Sequence, residues 1–330
     1  MTRAARRVSM VIPTWNGGPR FREVLEALCA QDFDEGLELI VIDSGSTDGT
    51  PELAAKFGAY VLSIPQAEFN HGTTRNRGIA LAHGEIVLLL TQDAKPMTQG
   101  FVRALAAAFD DPAVDGAYAR QFPLPQQDPI LKERLARWSG ARNEPARQTL
   151  VPGDAAASRA RFDELEPMQR YLTASFDNVA SAVRRSTWER HPLPPRSFGE
   201  DVAWAREVLL DGGTIAYEPA AEVEHSHPIS MKREFKRLYC DHKNLLALFG
   251  LRTVPTWGHA WRGWAGQRRF YAELVASQDL PFKEHVYWRL YSIPYSLAEG
   301  VAQFLGARSH WKTDESRLWR WIDTKLTHAV

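Results

Sequence analysis

Two aspartates lie just past apolar runs that predict buried strands. Asp93 follows the run Ile86–Leu90, and Asp43 ends the run Leu37–Asp43. Ligands of open α/β sheets bind beyond the carboxyl ends of parallel strands, so both acids lie where a ligand is expected. A carboxylate there is costly unless a cation meets it, and Asp93 therefore predicts a divalent-metal site. Asp43, with Ser44 after it, predicts hydrogen bonds from a nucleobase or ribose.

Two histidines, His225 and His227, are spaced so that they can act together. Side chains separated by one residue point the same way on an extended strand. One of them could complete a metal shell with Asp93, and a structural histidine is the alternative. The role of each histidine stays open at this point.

Residues at two junctions could contact other parts of a nucleotide. Arg75 lies in the first turn of a predicted helix, where backbone N–H groups and a forked guanidinium suit a diphosphate. A capped helix with a solvated arginine is the alternative. Trp15 follows Pro13 and Thr14 at the end of the first predicted strand and could stack on a base. An ordinary core tryptophan is equally compatible with its position.

A pair of acids, Glu200 and Asp201, follows Gly199 and opens another predicted helix. Acids in a first helical turn can simply complement the helix dipole. In a cleft, one of them could instead act as a general base that takes a proton from a hydroxyl group.

The elements that position these residues alternate in the first third of the chain. Strands and helices follow one another through short connections, which predicts an α/β fold with a mostly parallel sheet and flanking helices. The predicted strands there are 8–13, 37–43, 60–64, 85–90 and 114–120, and the helices are 20–30, 50–57, 73–82 and 100–109.

The alternation stops in a long connection over residues 122–169, which is rich in proline, glutamine, alanine and arginine. A connection of this length is typically functional or mobile. The later predicted elements are helices at 131–138 and 201–210, strands at 176–183 and 214–218, and a helical C-terminal extension from 230 to 330. The first predicted domain therefore covers residues 1–229.

Composition narrows the class of protein. Lysine plus arginine equals aspartate plus glutamate at 40 each, which gives no general attraction to nucleic acid. Two cysteines among 330 residues cannot form a disulfide framework and indicate a reducing compartment. The sequence shows no signal peptide and no run long enough to span a bilayer, so we expect a cytoplasmic protein.

Five short motifs fall in order on the predicted strand ends and helix starts. They are Val11-Ile12-Pro13-Thr14-Trp15-Asn16, Val41-Ile42-Asp43-Ser44-Gly45-Ser46-Thr47-Asp48-Gly49-Thr50, Phe69-Asn70-His71-Gly72 with Arg75-Asn76, Leu90-Thr91-Gln92-Asp93-Ala94, and Gly199-Glu200-Asp201. Together they resemble the family-2 glycosyltransferases of the GT-A (Rossmann-like) fold, and most closely the rhamnosyltransferase-like branch. The resemblance covers about residues 8–235.

The resemblance implies a role for each matching position. Asp201 would be the catalytic base, with Glu200 beside it. Asp93 occupies the last position of the family's Asp-x-Asp metal motif, whose first position here is Thr91, and His227 would supplement it with Mg²⁺ or Mn²⁺ as the metal. His225 is the weaker candidate. The implied donor-binding residues are Pro13, Thr14, Trp15, Asp43, Ser44, Arg75, Gln92 and Asp93.

The implied activity is inverting transfer of a single sugar, such as rhamnose, from a dTDP- or UDP-linked donor to a glycan or lipid-linked acceptor. The Gln-x-x-Arg-Trp signature of processive synthases is missing, which favours a non-processive enzyme. The alternatives are a nucleotide-sugar-binding protein without catalysis and a sugar nucleotidyltransferase. Seven of the eleven tryptophans lie beyond residue 250, so peripheral contact of the C-terminal helices with the inner face of the plasma membrane is a further expectation. Simple packing of those helices on the catalytic domain is its alternative.

Overall fold

The computed structural model of the protein describes residues 8–33, 36–137, 139–196, 198–227, 230–312 and 316–327. Their contacts divide them into two units. The sheet unit comprises the described residues of 1–124, 135–166 and 172–226. The helical unit comprises those of 125–134, 167–171 and 227–330. The domain boundary predicted after residue 229 falls close to the last of these divisions and stays a prediction.

Strands and helices alternate through the first part of the sheet unit, as the apolar runs predict. They are β1 (Val8–Thr14), α1 (Gly18–Cys29), β2 (Leu37–Asp43), α2 (Thr50–Lys56), β3 (Tyr60–Ser63), α3 (His71–Leu81), β4 (Ile86–Leu90), β5 (Lys95–Pro96), α4 (Phe101–Ala107) and β6 (Val114–Phe122).

The chain that follows is more ordered than the long predicted connection suggests. It contains α5 (Pro129–Ala136), β7 (Ala146–Gln148), α6 (Ala155–Glu164), α7 (Pro167–Thr173), β8 (Ala180–Arg184), α8 (Arg185–Arg190), α9 (Glu200–Leu210) and β9 (Thr214–Glu224). Helix α5 corresponds to the helix predicted at 131–138, and position 138 lies outside the described residues.

Among the described residues, the strands form one nine-stranded sheet in the order β3-β2-β1-β4-β8-β6-β9-β5, with β7 paired to β9. The pairs β1–β2, β2–β3, β1–β4 and β6–β9 are parallel. Strand β8 is antiparallel to both β4 and β6, and β5 and β7 are antiparallel to β9. The predicted α/β fold with flanking helices is confirmed, and the sheet is mixed because β8 runs in reverse at its centre.

The apolar run of β4 lies at the centre of the sheet. Every residue of Ile86–Leu90 is at most 1% exposed, as a strand covered on both faces requires. Phe21 of α1 and Phe101 of α4 belong to the same core cluster. The parallel register sets Val11 beside Leu89, so the ends of β1 and β4 are neighbours.

The strand predicted at 176–183 is wrong in its first four residues, because β8 begins only at Ala180. Asp177 Oδ1 accepts the N–H of Val179 at 2.8 Å. This local hydrogen bond makes a turn in place of a strand, as aspartate side chains often do. The strand predicted at 214–218 continues as β9 to Glu224, past an irregularity in its pairing with β6.

The helical unit contains α10 (Met231–Phe249), α11 (Trp257–Ala276), α12 (Phe282–Lys312) and α13 (Arg317–Thr327). Ile130, Tyr271 and Tyr295 form a buried cluster in it. Arg134 donates to the hydroxyl of Tyr295 at 2.6 Å and pairs with Glu234 at 2.5 Å. Within the described part of the chain, no helix is both long and apolar enough to cross a membrane.

Candidate active site

Asp43 lies at the end of β2 with its carboxylate fully engaged and is 1% exposed. Its Oδ1 accepts the hydroxyl of Thr14 at 3.1 Å and the hydroxyl of Ser46. Its Oδ2 accepts the N–H groups of Gly45 at 3.0 Å and Ser46 at 2.9 Å. The two hydroxyl donors can rotate away, so a nucleoside could replace them while the backbone turn persists. The contact of Asp43 with a nucleoside stays a prediction.

Ser44 is buried beside Asp43 and its hydroxyl is left unsatisfied. The side chain is 1% exposed, and its Oγ has no hydrogen-bond partner among the described residues. The backbone N–H of Ser44 donates to the carbonyl of Thr14 at 2.8 Å, which fixes the residue at the end of β2. A buried hydroxyl without a partner carries a desolvation cost that a polar ligand could offset.

Trp15 stands on the loop after β1, tied to the loop after β4. Its backbone N–H donates to Gln92 Oε1 at 2.8 Å, and Gln92 Nε2 donates back to the Trp15 backbone carbonyl at 3.1 Å. The tryptophan is 49% exposed, which excludes the core alternative and leaves the indole free of the interior. Pro13, two residues earlier, is half-buried. Gln92 thus holds the loop after β1 in place through two hydrogen bonds to the Trp15 backbone.

Asp93, His225 and His227 come together as the sequence predicts. Each offers one candidate ligand atom, and these atoms all lie within 4.8 Å of one another. His225 Nε2 is 3.6 Å from Asp93 Oδ1, so His225 belongs to the group as much as His227 does. One carboxylate with two imidazoles suits Mn²⁺ better than Mg²⁺, because Mg²⁺ prefers oxygen ligands. These residues therefore fit a divalent transition ion.

Arg20 on α1 holds together the two segments that carry this group. Its Nε donates to the carbonyl of Asp93 at 3.2 Å. Its Nη2 donates to both the carbonyl and Oε1 of Glu224, each at 2.9 Å. The position of Arg20 after Pro19 carried no sign of this role in the sequence, because the role depends on the distant strand β9.

Arg75 and Glu200 form a buried ion pair at the start of α3 and α9. Arg75 is 3% exposed, and its Nη1 lies 2.9 Å from Glu200 Oε1. The same carboxylate oxygen accepts Asn178 Nδ2 at 3.2 Å. The solvated-arginine alternative is therefore excluded. Contact between Arg75 and a diphosphate stays a prediction, since its charge already balances Glu200.

Asp201 lies in the first turn of α9, next to this ion pair, and is partly exposed at its surface. Its Oδ1 accepts the N–H of Val202 at 2.8 Å, and its Oδ2 accepts the N–H of Asn178 at 3.4 Å. Burial raises the pKa of Asp201 well above its ordinary value, and the negative charges of Glu200 and Asp177 raise it further. A carboxylate that binds a proton more strongly is better suited to general-base work near neutral pH.

Asp177 is a third acid of this cluster, and the sequence analysis did not single it out. Its Oδ2 accepts Gln121 Nε2 at 2.5 Å, and burial raises its pKa. The residue was hidden inside a predicted strand. The adjacent pair Asp177-Asn178 was the available signal, because both residue types favour turns.

The sheet brings these groups to a single edge. The carboxyl ends of the parallel strands β1, β2 and β4 meet there, and the start of the antiparallel β8 lies beside the end of β4. Strand β6 is antiparallel to β8 and therefore runs in the direction of β4, and β9 is parallel to β6, so β9 ends at the same edge with Glu224. Asp201 joins through Asn178, just before β8. Asp43 and Asp93 therefore share one rim with Asp201.

A mixed α/β sheet with acids and histidines at the carboxyl ends of its parallel strands has its ligand site at that rim, as nucleotide-binding α/β enzymes do. Residues 9–165 match the family model of Glycosyl transferase family 2. The O-antigen chain rhamnosyltransferase RfbN of Salmonella typhimurium is 30% identical over 315 residues, which cover 93% of this chain and 91% of that protein. The chain belongs to glycosyl transferase family 2 and is rhamnosyltransferase-like.

Two solved structures share the fold. TarS 1–349 of S. aureus in complex with UDP-GlcNAc has a TM-score of 0.53 at 15% identity, over 93% of this chain and 92% of that chain. Glucosyl-3-phosphoglycerate synthase from Mycobacterium tuberculosis, in complex with Mn²⁺, UDP-glucose and phosphoglyceric acid, has a TM-score of 0.52 at 22% identity, over 77% and 82%. The predicted GT-A fold and single-sugar glycosyltransferase activity are confirmed. A binding protein without catalysis and a sugar nucleotidyltransferase are not favoured.

Proposed function

We propose that the protein transfers one rhamnose residue, with inversion, from a dTDP- or UDP-linked donor to a hydroxyl of a glycan or lipid-linked acceptor. The observation that carries this proposal is the carboxylate of Asp201, with its raised pKa, on the same rim as Asp43 and the Asp93–His225–His227 group. The name of the relative, an O-antigen chain rhamnosyltransferase, supports rhamnose as the sugar.

The nucleoside half of the donor would lie on the loops after β1 and β2. Asp43 and Thr14 offer a carboxylate and a hydroxyl at the strand ends, and Trp15 offers an exposed ring for stacking. The orphaned hydroxyl of Ser44 supports a polar ligand here. Gln92 would keep the Trp15 loop in place through its paired hydrogen bonds.

The diphosphate would lie near Asp93, His225 and His227. A divalent ion held by these residues would neutralise the charge that develops on the leaving group. Thr91 takes the place of the first carboxylate of the Asp-x-Asp motif. The two imidazoles would therefore supply the metal ligands that complement Asp93. Arg20 fixes the backbone at Asp93 and Glu224 and would thereby orient the group.

The acceptor hydroxyl would approach Asp201, which takes its proton as the oxygen attacks the anomeric carbon. Glu200 adds negative charge that raises the pKa of Asp201, while its pairing with Arg75 keeps Glu200 itself stable in the interior. Attack from the face opposite the leaving group inverts the anomeric centre.

The proposed setting is the cytoplasm, with peripheral contact between the helical unit and the inner face of the plasma membrane. Seven tryptophans beyond residue 250 support the contact. Equal totals of basic and acidic residues, 40 each, support the expectation that nucleic acid is not a partner.

A donor panel with metal control tests this function. We expect transfer from dTDP- or UDP-rhamnose with inversion of the anomeric centre, loss of transfer on chelation, and recovery with Mn²⁺. His225→Asn should raise the Mn²⁺ concentration needed by at least about tenfold. His83→Asn is the matched control, because its side chain is 75% exposed and outside the rim. Full transfer after chelation would contradict the role of the metal. Retention of configuration at the anomeric carbon would contradict the proposed inverting mechanism.

A further inference from the structure

Five of the large exposed hydrophobic side chains of helix α12 are aliphatic or phenylalanine side chains without a polar group. Phe282 is 82% exposed, Val286 40%, Leu290 62%, Ile293 38% and Leu297 39%. Their spacing of four, four, three and four positions places them on one side of the helix, within an arc of about 80°. We call these five side chains the α12 stripe. A contiguous exposed apolar surface of this kind marks a site of interaction.

Helix α11 extends the stripe with tryptophan. Trp264 Nε1 donates to the carbonyl of Ile293 at 3.2 Å, which places α11 directly beside the stripe. Trp261 is 59% exposed, and its ring centre lies 5.3 Å from that of Trp264. Tryptophan combines an apolar body with a polar N–H group, which suits the boundary between water and hydrocarbon.

Basic side chains border this surface. On the helix, Lys283 lies about 20° beyond one side of the stripe and Arg289 about 20° beyond the other. The guanidinium of Arg268 lies 5.5 Å from the ring centre of Trp264. All three basic residues are exposed. The acidic residue Glu284 points about 160° away from the middle of the stripe, so it does not oppose their charge there.

We propose that the α12 stripe and Trp261 dock on an anionic lipid surface, with α11 and α12 lying in the plane of the interface. The apolar side chains would enter the acyl boundary while Lys283, Arg289 and Arg268 meet lipid phosphates. A second copy of the chain fits this surface less well. A twofold contact through the stripe would place the basic side chains of both copies, Lys283 and Arg289 in each, along one interface without an acidic partner in the stripe.

The α12 stripe would be the face that makes the proposed peripheral membrane contact, and the lipids would be anionic. The inference rests on that proposed membrane contact and not on the proposed sugar transfer. The full-length protein is floated with vesicles of phosphatidylglycerol and phosphatidylethanolamine, and separately with phosphatidylcholine, at low and high salt. We expect binding to the anionic vesicles that weakens with salt. The double change Leu290→Glu with Ile293→Glu should lower the bound fraction about tenfold or more.

Two further variants separate the causes. Lys283→Gln with Arg289→Gln removes two of the three basic side chains and should reduce the preference for anionic vesicles. Leu172→Glu is the matched control, a change at a side chain that is 53% exposed outside the surface, and should leave binding unchanged. Thermal unfolding shows whether each variant is folded. Release of nucleoside diphosphate with a soluble acceptor measures sugar transfer without membranes, so a loss of transfer and a loss of vesicle binding appear in different assays.

Three results would overturn the inference. The wild-type protein could fail to float with anionic vesicles, or the Glu double variant could float as well as the wild type. Light scattering could also show a dimer that the Glu double variant dissolves, without vesicle binding, and the surface would then belong to self-association.

Discussion

Of the three acids near Arg75, only Glu200 forms a direct ion pair with it. Arg75 pairs directly with Glu200 at 2.9 Å, whereas Asp201 and Asp177 receive the backbone N–H groups of Asn178 and Val179. Hydrogen bonds from neutral amides offset burial only in part, so the pKa values of Asp201 and Asp177 are both raised. The residue proposed as the base is thus held in an environment that strengthens its hold on a proton.

Removing the charge of Asp177 should change the pH dependence of transfer. The charge of Asp177 raises the pKa of Asp201, so Asp177→Asn should lower that pKa. A base works only when deprotonated, so the fall of kcat/KM toward acid pH should begin at a lower pH than in the wild-type enzyme. A pH–rate profile measures the shift, and Asp211→Asn, at the far end of α9, should show none. An acid limb that does not move would contradict this coupling.

The buried ion pair of Arg75 with Glu200 should contribute far more to stability than the exposed ion pair of Arg77 with Glu68. Arg75→Met leaves Glu200 buried without its partner and should cost about 3–5 kcal/mol in the free energy of unfolding. Arg77 pairs with Glu68 at the same 2.9 Å, but both side chains are nearly half exposed. Arg77→Met should therefore cost about 0–1 kcal/mol. Denaturant unfolding compares the two, and equal losses would contradict the role of burial.

Single residues of the site differ in how far the sequence could predict them. Asp43, Asp93 and Asp201 could be found because each follows a strand or opens a helix. The pair Asp177-Asn178 indicates a turn, but the roles of Asp177 and Arg20 could not be predicted, since their partners lie on segments far away in the chain. Spacing along a sequence locates strand ends but does not show which distant side chains meet there.

At the scale of elements, the length of the apolar runs and their alternation with helical segments predicted the first half of the sheet. The runs of β1, β2 and β4 are apolar and short, and their helices follow at regular intervals, so the parallel arrangement could be inferred. The reversal of β8 could not be inferred, because a strand pattern carries no direction. Its first predicted residues became a turn through the side chain of Asp177.

The packing of α3 on β1 depends on a residue without a side chain. A Cβ added at Gly78 would collide with Cγ1 of Val11. Gly78→Ala should therefore destabilise the protein by about 1–3 kcal/mol, although alanine favours helices. At Gly263 on α11 an added Cβ meets nothing within 4 Å, and Gly263→Ala should stabilise by about 0.5–1 kcal/mol. Thermal unfolding of both variants checks the contrast, and a stabilising Gly78→Ala would contradict the close packing.

At the scale of the whole molecule, the candidate site belongs to no single segment of the chain. Asp43, Asp93 and Asp201 come from three separate parts of the sequence and reach one rim only through the sheet order. The segments 125–134 and 167–171 group with the C-terminal helices rather than with their neighbours in sequence. This grouping was beyond prediction from the sequence, because it depends on contacts between distant residues such as Arg134 and Tyr295.

The central claim is that Asp201 removes the acceptor proton at this rim, and single-turnover transfer by Asp201→Asn tests it most directly. Asparagine keeps the shape of the side chain and cannot accept the proton, so the rate should fall by about 10²–10⁴. Donor affinity, measured in the same samples, should stay close to that of the wild-type enzyme, and Asp211→Asn should transfer normally. A near-normal transfer rate in Asp201→Asn would contradict the account.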